Sequence, residues 1–279
     1  MKEIKTISQL LDAMQHGYRV QKKQTIKPPI YHAQEQEKDE RHFCVSLAGH
    51  TIAIDSIYSE VYTLCKDYIS ESEPEMRIVV CNSDIEHEYE ITGRDKASNS
   101  NSYMETLVVY RKICEAILDY NIFLMHGAVV AVGDAAYMFT AQSGTGKTTH
   151  IKKWLKRLEN AIVVNGDKPL IKITEKEVIA CGTPWCGKEH LGNNTMVPLK
   201  AIVFMERKED NTIEEISFSD GLGRLMQQAY LPSDTEKVKK TIELLSQLSG
   251  KVKFYQYYFN NMKEDAFDVS YEALTGKKP

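Results

Sequence analysis

The sequence predicts an α/β protein in two parts. A phosphate-loop domain on a mixed sheet is expected over residues 105–279, after a smaller α+β domain over 1–104. Three observations carry this. A strand-like run, AAYMFTA (135–141), passes through SGTGK into a helix-like run, TTHIKKWLKRL (148–158), the context a phosphate-binding loop needs. A second apolar run, AIVVN (161–165), ends at Gly166-Asp167, a place for a metal-binding carboxylate. The remaining strand and helix signals do not alternate strictly as β-α-β, which points away from an all-parallel sheet.

The elements follow in order. Residues 7–15 read as a short helix and the polar run 31–42 as a linker or solvated arm. FCVSLAGHTIAID, from 43, alternates as two strands about a turn near Gly49-His50. Residues 57–69 read as a helix, MRIVVC (76–81) as a strand, 94–102 as a loop and 103–120 as a helix. FLMHGAVVAV (123–132) reads as one strand carrying His126, paired through the turn Gly133-Asp134 with 135–141. Beyond Asp167, strands are expected at 169–174, 176–182, 201–207 and 252–258. Helices are expected at 221–231, at 233–248 with Ser233 as N-cap, and at 264–274.

Composition bounds the function. The chain has 279 residues and a formal net charge of -4, so no basic face recommends a nucleic-acid partner. No apolar run reaches the length of a membrane span, and the N-terminus lacks a signal-peptide core. The six cysteines form no CxxC pair and read as reduced, mostly core residues of a cytoplasmic protein. His87 with Glu86 and Glu88 reads as an exposed acidic strand or loop, because sequence neighbours point apart. The run 206–210 reads as solvated surface, and His150 as a helix-surface residue.

The loop departs from G-x-x-x-x-G-K-[ST] at one place, Ala141 for the first glycine. Ser143, Gly144, Thr145, Gly146, Lys147, Thr148 and Thr149 are the expected nucleotide contacts. The glycines let backbone amides turn toward phosphate oxygens, and the helix N-terminus adds its dipole. Lys147 suits the β- and γ-phosphates, and the Thr148 hydroxyl suits Mg²⁺. Asp167, twenty residues after Lys147, can hold that ion or accept a proton. Lys168 is either a phosphate contact or a solvated side chain. CGTPWCGKEHLGNN (181–194) has the composition of a functional loop. Trp185, Gly187, Lys188, Glu189 and, from a later helix, Arg224 are its candidate substrate contacts, and Lys188 suits charge on a transferring phosphoryl group.

Taken together, HG at 126–127, SGTGKTTH, VNGDKPL and GTPWCGK resemble HPr kinase/phosphorylase. SGTGKTT itself is similar to the loop of ATP-dependent phosphoenolpyruvate carboxykinases. The order of all four elements, over about residues 105–275, resembles short bacterial HPr kinase-like proteins. The resemblance implies an HPr kinase/PEP carboxykinase-like domain that binds ATP and Mg²⁺. It implies transfer of the γ-phosphoryl group to a hydroxyl of a protein or peptide serine or of a small metabolite, and a place for His126 in the active site. Two departures stand out. Gly166 occupies the first position of a double Asp, and the E-x-R-G-L-G stretch is absent. Two alternatives therefore accompany the kinase reading: carboxykinase-like transfer on a keto acid, and a nucleotide-binding regulatory module. The keto-acid reading asks for clustered arginines, and the domain offers Arg157, Arg207 and Arg224. Neither nucleic acid nor a membrane is an expected partner, and a homo-oligomer is left open.

Overall fold

The computed structural model describes residues 40–278 as a mixed α/β protein. The helix expected at 7–15 and most of the polar arm at 31–42 lie outside the described residues. Two compact units divide after Ala116. No helix among the described residues is long and apolar enough to cross a membrane.

The first unit carries a four-stranded sheet in the order β3-β1-β2-β4. Strands β1 (His42–Leu47) and β2 (His50–Asp55) form a hairpin closed by Ala48-Gly49, both with positive φ, the geometry of a tight two-residue turn. β3 is Ile69–Ser70 and β4 is Met76–Val79, parallel to β2. The helix expected at 57–69 is shorter: α1 spans Glu60–Leu64, and a 3-10 turn follows at Lys66–Tyr68.

DIEHEYE is not an exposed strand or loop. It belongs to α2 (Asn82–Thr92), whose start is closed by Asp84 accepting the Cys81 amide at 2.9 Å. Glu88 is buried there and accepts from Arg111 Nε at 2.7 and 2.9 Å. Arg111 stands on α3 (Asn101–Ala116), which belongs to this first unit. Glu105 on α3 is fully buried and receives the Ile57 and Tyr58 amides at 2.5 and 2.9 Å. Burial nevertheless raises its pKa above the ordinary value.

The second unit is built on a nine-stranded sheet. Its long strand β11 (Met196–Arg207) serves two sets of neighbours. At its start it pairs with β10 (Val178–Cys181), and β9 (Leu170–Ile173) and β5 (Ile122–Leu124) follow outward, all antiparallel. Beyond an irregularity between Leu199 and Ala201, it runs parallel to β7 (Ala135–Thr140) on one side and β13 (Lys253–Phe259) on the other. β6 (Ala128–Val132) joins β7 through Gly133-Asp134, and β8 (Ala161–Asn165) lies outside β6.

The run 123–132 is therefore two strands, not one. β5 belongs to the first set of neighbours and β6 to the second, so the chain crosses at Met125, His126 and Gly127. His126 sits on this crossing, not on a strand. A further strand, β12 (Thr212–Ile216), pairs antiparallel with β13. Its glutamates at 214 and 215 suit an edge, where charge discourages further pairing.

Helix α4 (Lys147–Arg157) buries Lys147, His150, Ile151 and Trp154, a spacing of three and four that faces one side. α5 is Phe218–Gln228, α6 is Thr235–Ser246 and α7 is Ala266–Thr275. The N-cap of α6 is Asp234, not Ser233: its Oδ1 accepts the Lys237 amide at 2.9 Å.

His150 is not at the surface. It is fully buried among Phe139, Tyr257 and Phe259, with Nε2 at 3.0 Å from Ser270 Oγ. Burial pushes its pKa down to about 3, against a smaller opposing contribution from Asn261. A group neutral in the fold but protonated when unfolded below its ordinary 6.5 favours the unfolded chain in acid. His150 therefore costs stability progressively as pH falls from about 6.5 toward 3. Urea titrations between pH 4 and 7 are expected to show a slope from this residue approaching about 1.4 kcal/mol per pH unit. His150→Asn should flatten that slope; an unchanged slope would remove the assignment.

Candidate active site

The loop stands where the motif places it, between the end of β7 and the start of α4. Gly144 and Gly146 adopt φ of 81° and 116°, a region that favours glycine. A Cβ on Gly146 would also come within 3.0 Å of Asn261 Nδ2, which donates to Gly146 O at 3.1 Å. Among the described residues, the amides of Ser143, Gly144 and Gly146 make no hydrogen bond within the protein. Lys147 is buried and its ammonium donates to Ala141 O at 2.8 Å. Thr148 is half-buried, and Thr149 is exposed.

Sequence reasoning named Arg207 only among the arginines a keto acid asks for, and missed that it braces this loop. Arg207 ends β11, which runs parallel to β7, so its guanidinium reaches the loop from the neighbouring strand. Nε donates to Thr145 O at 2.7 Å and Nη2 to Gly144 O at 2.8 Å. The run 206–210 is thus not merely solvated charge. With two loop carbonyls drawn toward Arg207, the peptide dipoles of the loop are fixed.

The acid follows from a turn built by Asn165. This residue is fully buried at the end of β8, and its Oδ1 accepts the amides of Asp167 and Lys168 at 2.8 and 2.7 Å. Its Nδ2 donates to Thr183 O and Oγ1 at 3.0 and 2.9 Å, and Thr183 Oγ1 donates to Lys168 O at 2.8 Å. The VNGDK turn and the GTPW loop are therefore locked into one body.

Asp167 is held from two sides. His126 Nε2 lies 3.2 Å from Oδ1, and the Lys168 ammonium bonds Oδ2. Burial pushes the Asp167 pKa up, but the His126 hydrogen bond and the Lys168 charge outweigh it and hold it well below the ordinary carboxylate range. The carboxylate is ionised at neutral pH. His126 is aimed by Gln228, another residue not anticipated: His126 Nδ1 lies 3.1 Å from Gln228 Oε1, and the His126 amide donates to Gln228 O at 2.7 Å. The His126 carbonyl accepts Thr140 Oγ1 at 2.8 Å, and Thr140 is the last residue of β7. Thr140 thus joins the root of the loop to the His126–Asp167 pair.

The candidate substrate residues divide. Gly187 packs on Asp167, whose Cβ would lie 3.0 Å from a Cβ placed there. Glu189 pairs with Lys152 of α4 at 2.6 Å, and Lys188 is exposed. Trp185 is buried. Arg224 lies elsewhere, in a cleft of about 530 Å³ also lined by loop residues 140–145, Arg207, Gln228 and Gln256. Of the three arginines considered for a keto acid, Arg207 and Arg224 share this cleft, while Arg157 pairs with Asp268 of α7 at 2.9 Å.

Gly166, the position without its acid, is closed. A Cβ there would meet Cys186 O at 2.8 Å and Leu191 O at 3.0 Å, and the Gly166 amide donates to Leu191 O at 2.8 Å. The loop of residues 181–194 thus covers the place where a second carboxylate would begin.

No protein-family model matches this chain, and no curated protein matches it in sequence. Among solved structures, the chain is similar to the HPr(Ser) kinase/phosphatase from Coxiella burnetii, at 8% identity and a TM-score of 0.33, over 54% of this chain and 95% of that one.

Proposed function

We propose that this chain is an ATP- and Mg²⁺-dependent phosphotransferase that moves the γ-phosphoryl group to a hydroxyl. One observation carries the reading. A glycine loop with unspent amides and an ionised carboxylate held by a histidine meet at one end of β7. The residues suit both cofactors. Free amides at left-handed glycines suit phosphate oxygens, and one carboxylate with a threonine hydroxyl suits Mg²⁺, which fills its remaining positions with phosphate and water.

Bound MgATP would supply the phosphoryl group. Ser143 to Thr149 would cradle the phosphates, Lys147 would offset their charge, and Thr148 with Asp167 would hold the ion. Asp167 and His126 stand to take the hydroxyl proton. Gly187 lets the loop pack closely against Asp167, and Lys188 on the same loop offers a second cation, with Trp185 and Glu189 fixing that loop. The acceptor is a seryl side chain of a polypeptide or a small metabolite.

A nucleotide-binding regulatory module is the second reading, and the backbone closed over Gly166 favours it. Incubation of the protein with γ-labelled ATP, Mg²⁺ and a cell extract split by size separates the two. Label entering one fraction supports the phosphotransferase and says whether its acceptor is large or small. Bound MgATP with no label in either fraction supports the module.

A further inference from the structure

The cleft beside the loop holds a pre-oriented guanidinium that the phosphate chemistry above does not use. Arg224 projects from α5 with its guanidinium carbon 5.2 Å from the centre of the Phe204 ring. Its Nη1 donates to Gln256 Oε1. The ring contact and the hydrogen bond together hold the group in place, and a guanidinium can recognise a carboxylate through two parallel N–H bonds. Gln256 is itself 2% exposed and lines the cleft, and its Nε2 has no hydrogen-bond partner. With Oε1 committed to Arg224, what Gln256 has left to offer is a donor. That nitrogen is shut off from the surface, so it reaches a ligand only when the Gln256 amide turns toward the cleft; left unmade, such a buried donor is costly. Arg207 adds a second positive charge to the lining and Glu206 a single negative one. Gln228 lines the same cleft and bonds His126, so this pocket lies one residue away from the His126–Asp167 pair.

We infer that the cleft takes a carboxylate of the acceptor, and that the acceptor is a small hydroxy acid. This rests on the phosphotransferase reading. Two guanidinium groups against one carboxylate in the lining select an anion. The nucleotide phosphates already have the loop amides and Lys147, so the anion at Arg224 belongs to the other substrate. The cleft, about 530 Å³, is shared with loop residues 143–145, so a small acid at its Arg224 end lies beside the phosphates. In the step, the acceptor's hydroxyl oxygen bonds the γ-phosphorus, and the bond from that phosphorus to the β–γ bridging oxygen breaks. ADP leaves, and the hydroxyl proton passes to the Asp167–His126 pair.

The test uses the full chain, MgATP labelled at the γ position, and two matched pools. One holds serine, glycerate, lactate and malate; the other holds their amides. Label is expected in the acid pool only. Arg224→Gln is expected to lower that transfer about 10-fold or more, with MgATP affinity unchanged. A parallel melting experiment with a non-hydrolysable ATP analogue removes chemistry from the question: the acid pool should raise the Tm of the wild type, and not that of Arg224→Gln. A Tm rise without transfer would retain the carboxylate site and sink the phosphotransferase. Equal transfer into both pools would retain the phosphotransferase and sink the carboxylate site. Label in neither pool, with label confined to macromolecules when the cell extract is used, would sink the small acid, and weakened MgATP binding by Arg224→Gln would assign Arg224 to the nucleotide instead.

Discussion

Asp167→Asn is expected to lower phosphoryl transfer by about 10²–10⁴-fold, the usual worth of a positioned acid–base group. Among the described residues the carboxylate is the acid set against His126, and both of its oxygens are engaged, by His126 and Lys168. The amide keeps the shape but accepts no proton, and it removes the Asp167 charge from beside the Lys168 ammonium. Steady-state transfer by the variant measures the first effect. Acid denaturation measures the second. A carboxyl held below its ordinary pKa stabilises the fold above the unfolded value near 3.8, and that stability is lost as pH falls through the lower folded value. The wild type should therefore lose stability below about pH 4 more steeply than Asp167→Asn. Transfer within twofold of wild type would remove Asp167 from the chemistry.

Gly166→Asp, which recreates a pair of acids, is expected to harm the protein rather than improve it. The added Cβ would stand 2.8 Å from Cys186 O and 3.0 Å from Leu191 O. Both are backbone atoms of a loop already tied down through Thr183 and Asn165, and neither can swing aside as a side-chain tip can. Overpacking of this kind costs about 1–3 kcal/mol, read from the midpoint of a urea titration. A variant of undiminished stability and raised transfer would show that the loop yields, and that the missing acid had limited the site.

These two positions also mark how far the sequence can be read. The loop and Asp167 were legible because their signals are local: G-x-G-K-T between strand and helix patterns, and an acid at the end of an apolar run. His150 could have been placed correctly, since its spacing from Lys147, Ile151 and Trp154 puts it on the buried face of α4. The break at His126 could not. One apolar run is divided between two groups of strands, and the division appears only when β5 finds β9 and β6 finds β7. Arg207, Gln228 and Gln256 were equally hidden. Arg207 meets the loop through the register of β11 on β7, and Gln228 meets His126 across 102 residues of sequence. The closure over Gly166 is also non-local, although the glycine itself was visible as a departure.

Everything proposed for the site depends on the loop from 141 to 149 being a nucleotide cradle. Equilibrium dialysis of labelled MgATP against the wild type and Lys147→Ala tests this most directly. The expected result is one MgATP bound per chain, weakened about 10-fold to 100-fold in the variant, as befits loss of a charged donor to phosphate. No binding by the wild type, or equal binding by both proteins, would contradict the account and leave the loop a structural turn between β7 and α4.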